Sequence, residues 1–524
     1  MKKIVKIIIV IASSLLVLFV PFISLYVHYY EGYRNVHFEM YLSDVNPYDM
    51  GKEEFLEDFE YFYQFIEDNY PYINVKERML GYNWLDFKEE YLSRINACNN
   101  TKDFLTVMLD AVTALQNQHT HILNPSEVKT YHDGMIQYDV YPQKEVINDQ
   151  VVTANYYWWS IYNDIMNEKG YQHYNLLMVY NKGEYEVVDG WEAWLDTYNL
   201  ALGAKVVAID DVPIHEAVQN SYEESYLFYD FARNRSYIQY LTPRILKQTP
   251  NFTFENTTGE IIDVTLFSNP SITYDGVNWR GYYPNLAEVA TKLYPAEKVG
   301  YMQVGGMAYD PAAYWNMMMN FYTAIADYDH LIIDIRGNYG GNDYFWCENI
   351  VEPLLKQKLQ NKLYLAFKDS ATFSHYHRKA EKIYFQKTKS SFDYLPPEVL
   401  TKDYKIYKEH KLEYEPKNTV EFSGKITVLI DKCVYSSAEA FTVFCKNTGF
   451  ATLVGTNSGG DGIGRRIYWA LPHSKLVLSY SFALGLFGSG YSNEEYHTAP
   501  DIYYETDCNN FSELVDYTIN YLTA

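Results

Sequence analysis

The spacing of apolar residues divides this chain into stretches of different period. Residues 7–27 are 21 positions without a charge, preceded by Lys2, Lys3 and Lys6. That length crosses a bilayer as a helix, and the basic flank places the rest of the chain outside the cytoplasm. No small-residue cleavage site follows, so an uncleaved single-pass signal anchor over 1–28 is expected ahead of a cleaved signal and secretion. Residues 29–52 lack a clear period and read as a stalk. From Glu53 onward Phe55, Phe59, Phe62, Phe65 and Ile66 recur at three- and four-residue steps, which predicts an amphipathic helix. Residues 84–95 repeat the pattern. Asn100-Thr101-Lys102-Asp103 is a start signal for a third helix with Phe104, Val107, Met108, Ala111, Val112 and Leu115 on its apolar face. Residues 53–125 are therefore expected to form a small helical bundle that delivers a polar loop, Gln116 to His121.

Between 126 and 290 the pattern changes to short β-like runs. Residues 203–214 read as a glycine turn, a strand and an acidic turn, and 252–254 with 261–266 flank Thr258-Gly259 as a hairpin. Beyond 291 the short apolar runs 299–304, 331–335, 426–430 and 451–454 fit buried strands of an α/β core. Residues 343–420 form a long insertion rich in Lys, Glu and Tyr. It reads either as a lid-like, substrate-gripping element or as a solvated structural excursion.

Composition narrows the function. A length of 524 residues implies several domains. The balance of 43 basic against 67 acidic residues gives −24, which disfavours a phosphate backbone as partner, and no basic run offsets it. The five cysteines, at 98, 347, 433, 445 and 508, are odd in number and scattered, with neither a disulfide framework nor zinc spacing. The 55 tyrosines suit wet binding grooves, and equally a compositional habit.

Four segments carry candidate chemistry. The strand 426–431 runs into Lys432-Cys433-Val434-Tyr435-Ser436-Ser437-Ala438-Glu439, leaving Ser436 at a helix start where free N–H groups stabilise negative charge. A plain N-cap serine would sit there too. The strand 331–335 enters a turn, Arg336-Gly337-Asn338-Tyr339-Gly340-Gly341, whose glycines let backbone N–H groups face a ligand. A tight turn with an Asp334–Arg336 ion pair is the simpler reading of it. His119 follows a helix, and Glu494 lies in a polar segment near the C-terminus; each alone reads as structural.

Together these segments resemble the carboxyl-terminal processing peptidases, within them the branch that includes the tricorn core protease and the interphotoreceptor-retinoid-binding-protein-like modules. Asn117-Gln118-His119-Thr120 resembles that family's Asp-Ser/Gly-His-Thr turn. Asp334, Arg336, Asn338, Gly340 and Gly341 meet Asp-x-Arg-x-Asn-x-Gly-Gly. Ser436 stands before Glu439 as in Ser-x-x-Glu, and 455–460 meets Gly-x-x-Ser/Thr-Gly-Gly. Glu494, Pro500 and Asp501 meet Glu-x-x-Gly-x-x-Pro-Asp, with His497 in the glycine place. The resemblance covers 53–125 and 290–510 and is weaker over 126–290, where 203–214 looks like the carboxylate-binding turn of a PDZ-like module.

What the resemblance implies is an α/β core of the ClpP/crotonase-like spiral type over 291–524, an N-terminal helical bundle, and a β-rich module with a PDZ-like segment over 126–290. Members of the Ser–Lys type carry a lysine about 25 residues after the serine; here that place is Asp461. The histidine-using branch is therefore the one implied, with Ser436 as nucleophile, His119 as base and Glu494, 58 residues beyond the serine, behind it. Backbone N–H groups of Gly340, Gly341 and Ser437 would form the oxyanion hole. The implied activity is endopeptidase cleavage of proteins or peptides, without metal or cofactor. The alternative is a catalytically silent relative that binds peptides or hydrophobic ligands. A metal hydrolase built on His119 and His121 lacks a third ligand at a recognisable spacing.

Overall fold

The computed structural model describes residues 40–524 apart from 138–142, 169–172, 191, 243–249, 270–287, 309, 371, 373–391, 393 and 508–509. The expected anchor over 1–28 lies outside the described residues. Among the described residues no helix is long and apolar enough to cross a membrane.

The periodic segments fold as helices. Lys52–Asn69 buries Phe55, Phe59, Phe62, Phe65 and Ile66, the stripe read from the sequence. Thr101–Thr113 starts where Asn100 Oδ1 accepts from the Asp103 N–H at 2.9 Å. The second segment splits into a short turn, Trp84–Phe87, and the helix Lys88–Ala97. A further short helix, Ile73–Leu80, ends on Gly81 in the left-handed region and carries Lys76.

Two readings need correction. Residues 40–51 are no free stalk: Ser43 and Val45 lie on the turn 472–475, through the Ser43 N–H to Pro472 and Lys475 Nζ to the Val45 carbonyl at 2.7 Å. Nor does the helical part stop at 125, since Val128–Gln137 and Asp149–Glu168 follow, and Val151, Trp158 and Ile165 join the same apolar cluster as the earlier helices. The Tyr156-Tyr157-Trp158-Trp159 run in the second of these has the composition of a strand, and packing overrides it.

Three larger sheets complete the chain. The central one has the order Val289–Tyr294, Val299–Val304, His330–Asp334, Lys425–Ile430, Thr452–Gly455, Ile502–Tyr503; its first pair is antiparallel and the rest parallel. Apolar clusters cover both of its faces, as a parallel sheet requires. A second, antiparallel sheet joins His121–Ile122, Val477–Leu486, Leu359–Lys368 and Tyr404–Tyr414, with Arg465–Ala470 on the other side of Val477–Leu486. The insertion 343–420 thus supplies two long strands of a sheet. The third sheet is antiparallel, runs from Leu176–Asn181 to Ile261–Thr265, and contains the expected hairpin across Thr258-Gly259.

Candidate active site

The central sheet ends its strand Lys425–Ile430 beneath a short connection to the helix Ser437–Thr448. Ser436 occupies that turn with φ 55° and ψ −119°. A side chain other than glycine pays of order 1–3 kcal/mol for such a backbone, and the sharp turn lifts Oγ clear of the strand, as strained nucleophile turns do. Gly340, at φ +99°, backs onto it: a Cβ there would stand 2.7 Å from both the Ser437 nitrogen and the Tyr435 carbonyl.

The second sheet delivers the histidine. After the helix Thr101–Thr113 the chain turns, with the Thr120 N–H on the Asn117 carbonyl at 2.9 Å, and then pairs His121 with Ser479 and Ile122 with Leu478. Ser479 Oγ donates to the His119 carbonyl at 2.8 Å. So held, His119 Nε2 lies 2.9 Å from Ser436 Oγ, and its ring packs against Tyr435 with centroids 4.9 Å apart.

The carboxylate on the other side of the imidazole is Asp461, whose Oδ2 lies 2.8 Å from His119 Nδ1. The loop that carries it runs beside the nucleophile turn: the Gly459 N–H donates to the Val434 carbonyl at 2.7 Å, and Gly460 bridges to Tyr435. Asp461 is fully enclosed. Its Oδ1 accepts from Tyr72 Oη at 2.9 Å, and its Oδ2 from Asn117 Nδ2 at 2.9 Å and Ser481 Oγ at 3.0 Å. Burial pushes this carboxyl up, but the charge and hydrogen bond of His119, with those from Asn117 and Tyr72, outweigh it and hold it well below the usual carboxylate range.

Glu494 stands one residue further out. Its Oε1 accepts from Lys76 Nζ at 2.6 Å and from Asn117 Nδ2 at 3.1 Å, so Asn117 separates it from the imidazole. The expectation of Glu494 directly behind His119 is therefore revised: Asp461 occupies that place because its loop is strapped to the nucleophile turn. Gly340 also needs revision as an oxyanion donor, since its N–H is committed to Asn338 Oδ1 at 2.8 Å. Gly341 and Ser437 remain, the latter as the first residue of a helix, whose opening N–H groups have no intrahelical acceptor.

His121 and His497 serve elsewhere. His121 Nδ1 lies on the Gln118 carbonyl at 3.1 Å, and His497 Nδ1 on the Ser458 carbonyl at 2.6 Å. His497 adopts φ 51°, which accounts for the glycine place it fills. Asp334 and Arg336 form the buried ion pair the turn suggested, with Nε to Oδ1 at 2.9 Å. No cluster of three or more metal-ligating side chains occurs among the described residues. Sequence reasoning noticed Asp461 only as a missing lysine, and Tyr72, Asn117 and Ser481 had no motif signal as its partners.

Part of the chain, and its fold, are similar to known proteins. The family model described as peptidase family S41 matches residues 298–504. No curated protein sequence matches the chain. Mature CPAF complexed with lactacystin superposes with a TM-score of 0.53 at 13% identity, covering 90% of this chain and 98% of that one. Mature CPAF on its own superposes with a TM-score of 0.52 at 13% identity, covering 90% and 97%. At such identities the likeness is one of fold. The S41 match spans both the strand–turn–helix of Ser436 and the loop of Asp461, so over residues 298–504 the chain is similar to the serine-type peptidases of family S41.

Proposed function

We propose that the chain is a membrane-anchored, extracytoplasmic serine endopeptidase working through Ser436, His119 and Asp461. The observation that carries this reading is the unbroken run of contacts, Ser436 Oγ to His119 Nε2 at 2.9 Å and His119 Nδ1 to Asp461 Oδ2 at 2.8 Å. Ser436 Oγ attacks the peptide carbonyl while His119 Nε2 takes its proton. Asp461 holds Nδ1 protonated and stabilises the imidazolium. The oxyanion is met by the N–H groups of Gly341 and Ser437, each such donor being worth on the order of 100–1000-fold in rate. Collapse of the tetrahedral adduct expels the amine with the proton from His119, and water then releases the acyl group by the same steps in reverse order. Glu494 acts behind Asn117, not on the imidazole.

The charge-free stretch 7–27 after Lys2, Lys3 and Lys6 supports the anchor and the outward orientation. The antiparallel sheet from Leu176–Asn181 to Ile261–Thr265, with its turn at Gly203, supports a PDZ-like module, and the helices from Lys52 onward support the N-terminal bundle.

A fluorophosphonate probe tests the site on the purified full-length chain. Wild type is expected to be labelled, and Ser436→Ala and His119→Ala to lose labelling while keeping their folded spectra. An unlabelled wild type that still binds peptide would point to a binding protein instead.

A further inference from the structure

Behind the three residues above, a buried polar path leads to a lysine. Lys76 lies on the short helix Ile73–Leu80, and its Nζ meets Glu494 Oε1 at 2.6 Å with side-chain exposures of 13% and 3%. Asn117, enclosed between two carboxylates, gives its single amide nitrogen to both: Glu494 Oε1 at 3.1 Å and Asp461 Oδ2 at 2.9 Å. Its oxygen accepts from Thr120 Oγ1 at 2.9 Å. Glu494 Oε2 is buried with no hydrogen-bond partner among the described residues.

We propose that Lys76 is a positioning residue for the catalytic triad: through Glu494 and Asn117 it fixes the sense of the amide that supports Asp461. The inference rests on the reading of Ser436, His119 and Asp461 as the catalytic groups. Its physical basis is the donor inventory. An ionised carboxylate only accepts, so an amide between two of them presents its NH2 group to both. A protonated Glu494 can donate as well, and the amide is then free to turn its oxygen that way, removing a donor from Asp461. Lys76 prevents this by keeping Glu494 charged.

The surroundings leave this task to Lys76. The groups facing Glu494 are Lys76, Tyr70 and Tyr72 from the first helices and their connection, Asp461 from its loop, Tyr435 from the nucleophile turn and His497 from the same segment. Burial pushes all three tyrosines up, so they stay neutral, and pushes His497 down to about 4, so it is neutral near pH 7. Burial drives the Glu494 carboxyl up, Lys76 pulls it back and Asp461 pushes it up again. Lys76 is the cation among these groups.

The test uses the full-length chain with Lys76→Met, Lys76→Arg, and Lys76→Met combined with Glu494→Gln. Lys76→Met is expected to lower kcat about 10-fold at neutral pH, with KM little changed and the acid limb of the profile moved to higher pH. Lys76→Arg restores most of the rate. The double variant is no worse than Lys76→Met, since a glutamine amide is neutral and can donate to Asn117 just as the protonated acid does. Histidine-selective 15N spectra supply a reading independent of catalysis. The Glu494 step in the His119 titration moves to higher pH in Lys76→Met and vanishes in the double variant. A change in KM alone marks Lys76 as a substrate contact and overturns the proposal, as do losses that multiply in the double variant or a His119 titration indifferent to Lys76. If the His119 step moves as expected while wild-type Ser436 stays unlabelled, the catalytic reading fails and the linkage stands.

Discussion

Asp461 shows how one residue changes the chemistry expected of a site. It sits in the left-handed region at φ 48°, in the place where a lysine would make a Ser–Lys pair, and turns that place over to orienting a histidine. Asp461→Asn can keep the bond from Tyr72, which falls on Oδ1, but with its amide nitrogen in the place of Oδ2 it offers His119 an N–H, which favours the wrong tautomer. The expected loss is about 10⁴-fold in kcat with KM nearly unchanged. Glu494→Gln, one amide removed from the imidazole, is expected to lose far less, and steady-state kinetics on both variants checks the order. Ser436 and His119 stood out because each falls in a short segment that resembles a family motif, Ser-x-x-Glu and the turn Asn117 to Thr120, although each alone read as structural. Asp461 did not, because its contact with His119 joins positions 342 residues apart through loop packing that no local signal encodes. The same holds for Gly340: the glycine pair is visible in the sequence, but which N–H stays free depends on where the Asn338 side chain lands.

At the scale of elements, the nucleophile helix is tied to the C-terminal segment by a buried acid. Glu439, in the first turn of Ser437–Thr448, accepts at Oε1 from Asn493 Nδ2 and Thr498 Oγ1, both at 2.7 Å. Asn493 Oδ1 in turn accepts from the Gly462 N–H at 2.8 Å, next to Asp461. Burial pushes the Glu439 carboxyl up from 4.5 to about 7, against hydrogen bonds that pull it down. A folded value above the unfolded one means the stabilisation is complete below about pH 4.5 and is lost as pH rises through about 7. The shift corresponds to at most about 3 kcal/mol. Glu439→Gln, a neutral isostere, is expected to match wild type near pH 5 and to exceed it by up to that amount near pH 8, as read by urea unfolding at the two pH values. Parallel pH dependence of the two proteins would contradict it. Of the elements, the four inner strands of the central sheet were legible within a residue because their short apolar runs are bounded by turns, whereas its outer strands Val289–Tyr294 and Ile502–Tyr503 were not read. The second sheet was not legible: all ten residues of Val477–Leu486 are buried, so no alternation marks a face, and two other strands of the sheet lie inside what read as an insertion.

Across the whole molecule, the site is the seam between two cores. Ser436 and Asp461 fall within the segment 298–504 that the family match spans, whereas His119, Asn117 and Tyr72 come from outside it. What carries His119 to the serine is the packing of the helices on the second sheet, where one apolar cluster runs from Phe55 to Leu486. Phe65 is central to that contact: its ring stacks on Trp469 with centroids 4.8 Å apart and meets Tyr480 edge-on at 5.0 Å. Phe65→Ala leaves a void between helix and sheet and is expected to cost about 3–5 kcal/mol, seen as a lower urea midpoint. Because the sheet strand Val477–Leu486 pairs with His121–Ile122, loosening this contact also frees the loop of His119. In urea concentrations between the two midpoints, wild-type Ser436 should still react with a fluorophosphonate while the Phe65→Ala protein does not, although every catalytic side chain is intact. Labelling that outlasts the unfolding of the helices would mean that His119 is held by its loop alone, and that the helical half is dispensable to the chemistry.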